Sequence, residues 1–350
     1  MTSTYLIYGA NGYTGELIAR EAARRGQRPV LAGRNAEAVR GLATELGLEH
    51  RVFSLDDPRA VDEGLRGMPA VLHCAGPFVR TFQPMAEACL RARAHYLDVT
   101  GEIDVFERLA ARDQDARSAG VMLLPGAGFD VVPTDCLAAH LKRRLPSATH
   151  LVLAFHSVGG LSRGTATTMV ENIHRGGLIR RNGALTPVPA AWRTRTVDFG
   201  RGPRTVVSIP WGDVSTAYYS TGIPNIEDYT TATGPILLAM KASRRLRPLL
   251  ASSFVQSFLK KRVRSGAPGP NAEQRARGRT ILWGEVADAA GQRAAARLHG
   301  PEGYTFTMRT ALAAVEKALA GVAPAGFQTP SKAYGPDFVL GVDGVTREDL

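Results

Sequence analysis

Short apolar runs alternate with amphipathic stretches over the first 135 residues of the chain. Runs of this length, bounded by turn residues, predict strands, and apolar positions three and four apart between them predict helices. An alternation of strands and helices predicts a parallel sheet whose strands all end at one edge. The predicted strands are residues 5–8, 29–32, 51–55, 70–74, 95–99 and 121–124.

From about residue 146 the pattern changes to alternating apolar and polar positions, as in residues 150–156 and 205–210. This period of two predicts an antiparallel sheet with few helices. The predicted fold class is therefore α/β, with a Rossmann-type parallel sheet domain (1–135) and a second, α+β domain built on a mostly antiparallel sheet (136–303). A C-terminal helix and tail (304–350) are expected to pack back on the Rossmann domain.

The first predicted strand ends in a glycine-rich turn with the spacing GxxGxxG, from Gly9 through Gly12 to Gly15. Gly9 permits a tight exit from the strand, and Gly12 lets the backbone approach a pyrophosphate. Gly15 lets the next helix pack on the strand, and the N–H groups of that helix face the phosphates. This spacing differs from the commonest dinucleotide-binding fingerprint, GxGxxG. The position of the turn between a strand and a helix is therefore what predicts a dinucleotide site. The alternative is a tight turn without a ligand.

Gly33 and Arg34 directly follow the second predicted strand. Arg34 stands at the position where a dinucleotide-binding unit contacts the ribose. An acid there would hydrogen-bond a free 2′-hydroxyl, whereas a guanidinium binds a 2′-phosphate. The sequence therefore predicts NADP(H) over NAD(H), with a solvated surface arginine as the alternative. The residues expected to contact the dinucleotide are Gly9, Asn11, Gly12, Tyr13, Thr14, Arg34, Asp56, Ala75, Gly76, Pro77, Phe78 and Gly101.

Several segments together resemble the bacterial saccharopine-dehydrogenase-like oxidoreductases, and the resemblance extends over nearly the whole chain. The segments are YGANGYTGELIA (8–19), AGRN (32–35), HCAGPF (73–78), YLDVTGE (96–102), PGAGFDVVPTD (125–135) and GFQTPSKAYGPDFVLG (326–341). That family includes saccharopine reductase relatives and trans-acting enoyl reductases. The resemblance implies a Rossmann domain with an inserted, mostly antiparallel domain, and NADP-linked redox chemistry on an open choice of substrate.

Asp130 is the first candidate for acid/base work, because it follows a strand in a glycine-rich turn where a carboxyl would be desolvated and its pKa raised. The alternative is a cap for the next helix or turn. Further candidates are Glu102, Tyr218 and Tyr219. The histidines occur singly, so no metal site is predicted. A set of arginines would clamp a substrate carboxylate or phosphate, or simply be solvated: Arg163, Arg175, Arg180 and Arg181.

The formal net charge of +11 arises mainly between residues 236 and 279, which hold eleven basic residues and one acid. In residues 236–264 the charges alternate with apolar side chains, and Pro248 divides the segment into two predicted helices. The segment would cover a pocket with its apolar face, dock an acidic acyl-carrier protein or lie on an anionic membrane. No aromatic stacking platform accompanies the arginines, which argues against a nucleic-acid partner.

Three cysteines without a CxxC pair, and no long apolar run, predict a cytoplasmic protein without disulfides. The predicted function is an NADPH-dependent oxidoreductase that reduces a C=C, C=O or C=N bond of a hydrophobic or acyl-type substrate, free or linked to an acyl carrier. The alternatives are a saccharopine-type amino-acid dehydrogenase and a non-catalytic NADP-binding, membrane-peripheral protein. The sequence leaves open whether the chain forms a homodimer.

Overall fold

The computed structural model describes residues 4–350, which divide into two compact units. The first contains residues up to Val132 together with Tyr304–Gly335, and the second contains Pro133–Gly303 and Pro336–Leu350. The division after Val132 lies close to the predicted boundary at residue 135. Residues 1–3 of the predicted first domain lie outside the described residues.

The strands of the chain are short in the first unit and longer in the second. In chain order they are β1 (Leu6–Tyr8), β2 (Val30–Gly33), β3 (His50–Val52), β4 (Ala70–His73), β5 (His95–Asp98), β6 (Met122–Leu124), β7 (His150–Val158), β8 (Gly177–Arg181), β9 (Ala184–Val188), β10 (Thr194–Asp198), β11 (Pro203–Ile209), β12 (Asn225–Thr231), β13 (Arg279–Ala287), β14 (Arg293–Pro301), β15 (Gly326–Phe327) and β16 (Thr346–Asp349).

The helices range from single turns to almost five turns. In chain order they are α1 (Tyr13–Arg24), α2 (Ala36–Leu46), α3 (Pro58–Gly64), α4 (Phe78–Ala92), α5 (Ile103–Ala110), α6 (Asp113–Ala119), α7 (Val132–Arg144), α8 (Arg163–Asn172), α9 (Asp213–Thr221), α10 (Gly234–Ser243), α11 (Arg247–Ala251), α12 (Ser253–Arg264), α13 (Ala272–Arg277), α14 (Gly303–Leu319) and α15 (Pro330–Tyr334), with a 3₁₀ turn at Phe338–Gly341.

The sheet of the first unit has seven strands in the order β15-β6-β5-β4-β1-β2-β3, all paired in parallel. The central strands are apolar and inaccessible, with Ile7, Leu72 and Leu97 all at 0% exposure, because helices cover both faces of such a sheet. The predicted Rossmann-type sheet is confirmed. The two-residue strand β15 adds a seventh strand to the six that the sequence predicts.

Polar residues at the helix starts fix several of the connections in the first unit. The Asn35 side chain accepts a hydrogen bond from the amide of Ala38 at 3.1 Å and so caps α2. The Asp57 carboxylate accepts from the amides of Arg59 and Ala60 and caps α3, with Pro58 at the first helical position. Each cap satisfies amides that have no partner within the helix, and it therefore sets where the helix begins.

The second unit contains a nine-stranded sheet with the main order β10-β11-β12-β7-β13-β14-β16, while β8 pairs with β12 and β9. Only the β12–β7 pair is parallel among the described pairs of this sheet, so the predicted mostly antiparallel sheet is confirmed. Helix α7 packs on this sheet at Gly284, where an added Cβ would lie 2.7 Å from the Leu141 side chain.

The C-terminal segment, residues 304–350, does not pack as one piece on the first domain. Residues Tyr304–Gly335 belong to the first unit, but Pro336–Leu350 belong to the second. Strand β16 hydrogen-bonds to β14, because an edge strand offers unpaired backbone groups that a tail can satisfy. The Arg347 side chain, which donates to Asp337 at 2.6 Å, helps to hold this tail. The expected packing on the first domain is thus incorrect for the tail.

Candidate dinucleotide site and strand-end carboxyl groups

The turn between β1 and α1 is tightly packed, and its glycines are required by their surroundings. Gly9 has a φ of +82°, and an added Cβ would lie 2.9 Å from the Cβ of Ala75. A Cβ on Gly15 would lie 2.3 Å from the carbonyl oxygen of Gly9. The amide of Gly9 donates to the carbonyl of Ala32 at 2.8 Å, which ties the turn to β2. The turn therefore lies against both neighbouring strands, β2 and β4.

Gly12 differs from these two glycines because it lies at the surface and an added Cβ would have one close neighbour. It is exposed, and the nearest atom to an added Cβ is the Gly9 oxygen at 3.3 Å. Gly12 is also the N-cap of α1, which has no side-chain cap. Amides at an uncapped helix start are available to a phosphate. The close packing expected at Gly9 and Gly15 is present, and the approach of a pyrophosphate to Gly12 stays a prediction.

Three further residues that the sequence predicts to contact the dinucleotide lie in this turn or at the start of α1. The Asn11 side chain lies over Gly33, where a Cβ would approach its Oδ1 to 3.0 Å. Tyr13 is half-buried and its ring meets the ring of Tyr304 edge to face, with centroids 5.0 Å apart. Thr14 is half-buried in the first turn of α1. Tyr304 was not among the predicted contacts, because it lies almost 300 residues away along the chain.

Arg34 lies at the carboxyl end of β2 and is exposed, with no hydrogen-bond or ion-pair partner within residues 4–350. Its charge acts on Tyr8 of β1: burial raises the pKa of that phenol to about 12, Arg34 opposes the rise and Asp56 adds to it. Asp56 is exposed beyond β3, and its carboxylate accepts from the Ser54 hydroxyl at 2.9 Å. Arg34 and Asp56, beyond the ends of β2 and β3, are thus close enough to Tyr8 to act on it.

The segment after β4 contains Ala75, Gly76, Pro77 and Phe78, and it leads directly into α4. The Glu102 carboxylate accepts from the amides of Phe78 and Val79 at 2.7 and 3.0 Å. Glu102 therefore caps α4 from the loop after β5, and the negative charge suits the positive end of the helix. This cap gives Glu102 a structural role instead of the acid/base role considered from the sequence.

Asp98 at the end of β5 organises the next two loops. Its carboxylate accepts from the amides of Thr100 and Gly126, both at 2.9 Å, and from the Tyr96 hydroxyl at 2.7 Å. Burial raises the pKa of Asp98 to about 6, and these hydrogen bonds oppose the rise. Because Gly126 follows β6, Asp98 ties the ends of β5 and β6 together. The sequence does not single out Asp98, since nothing local distinguishes it from any other acid at the end of a strand.

Asp130 lies in the loop that Asp98 orders. An added Cβ on Gly101 would lie 2.7 Å from Asp130 Oδ2, so the loops after β5 and β6 meet at this carboxyl group. Asp130 is half-buried, and its carboxyl has no hydrogen-bond partner among residues 4–350. Burial raises the pKa of Asp130 to about 6. It does not cap a helix or turn through a hydrogen bond of its side chain.

Helix α14 also holds the loop that contains Asp130. The Thr307 hydroxyl accepts from the amide of Phe129 at 3.0 Å, and the Thr310 hydroxyl donates to the carbonyl of Ala127 at 2.8 Å. A Cβ on Gly128 would lie 2.9 Å from Thr307 Cγ2. These contacts fix the backbone on both sides of Gly128 and so hold Asp130 in place.

Comparison with known proteins identifies the first unit. Residues 5–124 match the model for the "Saccharopine dehydrogenase NADP binding domain". The match covers 120 of the 350 residues, and it is this segment that is similar to that domain. The matched segment contains all twelve predicted contacts: eleven lie after β1 to β4, in the loops or in the first turn of the next helix, and Gly101 lies after β5. The predicted resemblance and the predicted NADP(H) cofactor are confirmed for this NADP-binding domain.

Curated relatives match part of the chain. It is 30% identical over 187 residues to a trans-acting enoyl reductase of Mycobacterium tuberculosis, a match that covers 47% of this chain and 43% of that protein. It is 24% identical over 175 residues to the human saccharopine dehydrogenase-like oxidoreductase, covering 44% of this chain and 40% of that protein. The matched region is less than half of each relative's length.

The fold as a whole matches a solved structure, apo histidine-tagged saccharopine dehydrogenase (L-Glu forming) from Saccharomyces cerevisiae. The TM-score is 0.66 at 10% sequence identity, over 99% of this chain and 100% of that chain. The match shows a shared fold, in agreement with the predicted pairing of a Rossmann-type domain with a mostly antiparallel one.

The NADP-binding domain fits its cofactor on the observed contacts. Side chains at Gly9 and Gly15 are excluded by the protein itself, whereas Gly12 faces outward at an uncapped helix start. Arg34, on the neighbouring strand end, is an exposed cation without a partner in the range 4–350, as a 2′-phosphate requires. Among residues 4–350 there is no group of three or more His, Cys, Asp or Glu side chains placed to hold a metal ion.

The candidates in the second unit have structural contacts. The Arg180 guanidinium donates to the carbonyls of Val214 and Gly183, both at 2.7 Å, and lies over the Tyr218 ring at 4.3 Å. Arg163 donates to the carbonyl of Gly266. Two of the four arginines considered as a substrate clamp are thus occupied by backbone carbonyls, which weakens the saccharopine-type alternative. Arg175 and Arg181 are exposed.

Proposed function

We propose that the protein is an NADPH-dependent reductase of a C=C, C=O or C=N bond, with Asp130 as the proton donor. The observation that carries the proposal is the position of Asp130: a half-buried carboxyl without a hydrogen-bond partner in the described part of the chain, at the strand-end edge of an NADP-binding domain. In a parallel sheet of this kind, ligands bind beyond the carboxyl ends of the strands. Asp130 and the dinucleotide contacts share that edge.

The bound NADPH would supply a hydride, and the chain must supply a proton and exclude water. A carboxyl with a pKa of about 6 retains a protonated fraction near neutral pH and releases its proton readily, as efficient proton transfer requires. Asp98, Thr307 and Thr310 hold the loop that presents Asp130, since each binds backbone groups of residues 126–129. They are positioning residues in this scheme.

The twelve predicted contacts would hold the dinucleotide in three groups. The glycine turn and the start of α1 would bind the pyrophosphate, and Arg34 with Asp56 would flank the adenosine ribose and its 2′-phosphate. Ala75 to Phe78 and Gly101 would line the nicotinamide half. The backbone of this last group is fixed by the Glu102 cap on α4.

For the substrate we propose a hydrophobic acyl compound, free or linked to an acyl carrier. The support is the similarity to mycobacterial proteins named trans-acting enoyl reductases, together with the occupied arginines of the second unit, which are poorly suited to binding an amino-acid carboxylate. We further propose that the protein acts in the cytoplasm, where NADPH and reduced cysteines are maintained; its three cysteines are free.

The test is NADPH oxidation with an enoyl thioester, a ketone and an imine of similar apolar chain. One substrate class should turn over, and kcat/KM should fall as the pH rises above about 6, because Asp130 loses its proton there. Asp130→Asn should bind NADPH normally but lose most of kcat and the descending limb of the pH profile. The matched control is Glu49→Gln, an exposed acid on the same unit, which should behave as the wild type.

Two results would contradict the proposal in different ways. NADPH binding without oxidation of any of the three substrates would contradict the reductase assignment. Turnover by Asp130→Asn with an unchanged pH profile would keep the reductase assignment and remove Asp130 as the proton donor.

A further inference from the structure

Residues 234–264 form three short helices, α10, α11 and α12, none of which has a buried residue. The sequence predicts two helices divided by Pro248, but Pro248 instead lies in the first turn of α11. The segment contains eight basic residues and no acid. An isolated helix of this length is marginal in water, so contacts with the rest of the second unit must hold these three in place.

Those contacts involve one side of the segment. The Gln256 side chain on α12 donates to the carbonyl of Val170 on α8 at 2.9 Å, and Lys260 forms an ion pair with Glu171 at 2.7 Å. Arg244, after α10, donates to the carbonyls of Ala190 and Ala191, both at 2.7 Å. The segment is therefore attached to the second unit through named polar contacts.

The opposite side of α12 is apolar and exposed. Phe254 and Phe258 are 81% and 60% exposed, and they are neighbours on the helix surface because they are four residues apart. Lys261 and Arg262 continue the same side, three and four residues after Phe258. Leu238 on α10 is 71% exposed. Other large apolar side chains exposed on this segment and on α8 are Ile236, Leu246, Leu249, Met169 and Ile173.

The cations of the segment are mostly unpaired. Lys260 and Arg244 have the partners given above. Six others are exposed and have no ion-pair partner within the described part of the chain, residues 4–350: Lys241, Arg245, Arg247, Lys261, Arg262 and Arg264. We call these six cations, together with the exposed apolar side chains of residues 234–264, the basic apolar face. Phe254 and Phe258 lie beside Lys261 and Arg262 in it, and the segment contains no acid. Water solvates its apolar side chains poorly.

We propose that the basic apolar face binds an anionic lipid surface. Apolar side chains of an interfacial helix insert below the headgroups, and lysines and arginines beside them bind the anionic headgroups, each contributing further affinity. Phe254 and Phe258 followed by Lys261 and Arg262 provide both parts on one side of one helix. No helix among residues 4–350 is long and apolar enough to cross a bilayer, so the contact is peripheral.

Other occupants match the face less well. A second copy would place the six unpaired cations of one chain near those of the other, and like charges at an interface repel. A nucleic acid would pair with the cations, but it would leave the exposed Phe, Leu and Ile side chains without an apolar partner. An acidic carrier protein would satisfy the cations as well as a lipid does, but apolar side chains spread over three consecutive helices suit a continuous apolar layer better than one small partner.

The experiment is co-sedimentation of the full chain with vesicles, without NADPH or substrate, so its result does not depend on the proposed reductase activity. Vesicles of phosphatidylcholine are compared with vesicles of equal parts phosphatidylcholine and phosphatidylglycerol. The protein should bind the anionic vesicles at least about tenfold more tightly, and binding should weaken as salt is added. Phe254→Ser/Phe258→Ser and Lys261→Glu/Arg262→Glu should each weaken binding by roughly tenfold or more.

Matched controls use exposed residues elsewhere. Val322→Ser removes an exposed apolar side chain of the first unit, and Arg201→Glu/Arg204→Glu reverses two exposed charges of the second. Both should bind like the wild type. A conservative variant, Phe254→Trp, should retain binding, and its added tryptophan emission should be quenched by brominated phosphatidylcholine in the anionic vesicles. Quenching is a gained signal, so it cannot be confused with the loss of binding that an unfolded variant would show.

Several outcomes would overturn the proposal. One is no binding to anionic vesicles at low salt. Another is binding that persists in Phe254→Ser/Phe258→Ser with no quenching of Phe254→Trp, which would mean adsorption by charge alone. Saturable binding to a purified acyl-carrier protein without binding to vesicles would assign the face to an acidic protein. Dimerisation through the face would show as sedimentation that depends on Phe254 and Phe258 in the absence of lipid.

Discussion

Replacement of Asp130 by asparagine should stabilise the protein at neutral pH while it removes the proposed proton donor. Burial raises the pKa of the Asp130 carboxyl to about 6, against about 3.9 in an unfolded chain. The folded state therefore holds this proton more tightly than the unfolded state. The associated stability is present below pH ~4 and is lost as the pH rises through ~6.

The magnitude follows from the difference between the two pKa values. One pKa unit corresponds to about 1.4 kcal/mol, so two units give an upper value of about 3 kcal/mol. The carboxyl is half-buried and partly screened by water, which lowers the expected value to about 1 to 3 kcal/mol. Asparagine is neutral at every pH. Asp130→Asn should thus exceed the wild type in free energy of unfolding by this amount at pH 8 and by almost nothing at pH 4.

The assay is urea unfolding at both pH values, followed by far-UV circular dichroism. Far-UV detection is needed because all three tryptophans, Trp192, Trp211 and Trp283, lie in the second unit. Glu49→Gln, an exposed acid in the first unit, should differ from the wild type by little at either pH. An Asp130→Asn protein that is less stable than the wild type at pH 8 would refute the reasoning, since it would mean that the carboxylate makes stabilising contacts.

Three further substitutions test the packing of the strand-end loops by thermal or urea unfolding. Gly15→Ala should cost roughly 2 to 4 kcal/mol, because its Cβ would lie 2.3 Å from the Gly9 oxygen, whereas Gly41→Ala, with open space around it inside α2, should stabilise by about 0.5 to 1 kcal/mol. Glu102→Ala should cost about 1 to 2 kcal/mol by uncapping α4, and Glu102→Gln about half as much, since one acceptor oxygen remains. Asp98→Ala should cost about 3 to 5 kcal/mol, because it leaves two buried amides and one hydroxyl without their acceptor.

Each of these predictions has a result that would contradict it. Equal effects of alanine at Gly15 and Gly41 would mean that the turn relaxes freely. An unchanged melting temperature of Glu102→Ala would mean that water caps α4 equally well. A loss below about 1 kcal/mol in Asp98→Ala would mean that the loops after β5 and β6 are held by other contacts.

The parallel sheet and its turn could be predicted because their signals are local. The strands before the turn and before Arg34 are continuous apolar runs, as strands buried on both faces must be. Gly15 is also a local signal, since its close contact is with Gly9 in the same strand–turn–helix unit, whereas the contact of Gly9 with Ala75 after β4 is not local. Strand β15 escaped prediction because Gly326 and Phe327 are too few to show any period.

The carboxyl groups of the site show where sequence patterns stop being informative. Glu102, Asp98 and Asp130 all follow strands in similar small-residue turns, and the sequence does not distinguish their roles. Their hydrogen bonds do: Glu102 caps a helix that begins 24 residues earlier in the chain, Asp98 binds a loop residue 28 positions later, and Asp130 has no hydrogen-bond partner among residues 4–350. Such roles depend on which strand ends become neighbours, and this is known only once the strand order is known.

The central claim is that the first unit binds NADP(H) through the glycine turn and Arg34. Titration with NADPH and with NADH, followed by the fluorescence of the reduced nicotinamide, tests it most directly in the wild type and in Arg34→Asp. We predict that the wild type binds NADPH at least about tenfold more tightly than NADH, and that Arg34→Asp loses this preference while it still binds NADH. Equal binding of both dinucleotides by the wild type, or a preference that survives in Arg34→Asp, would contradict the claim.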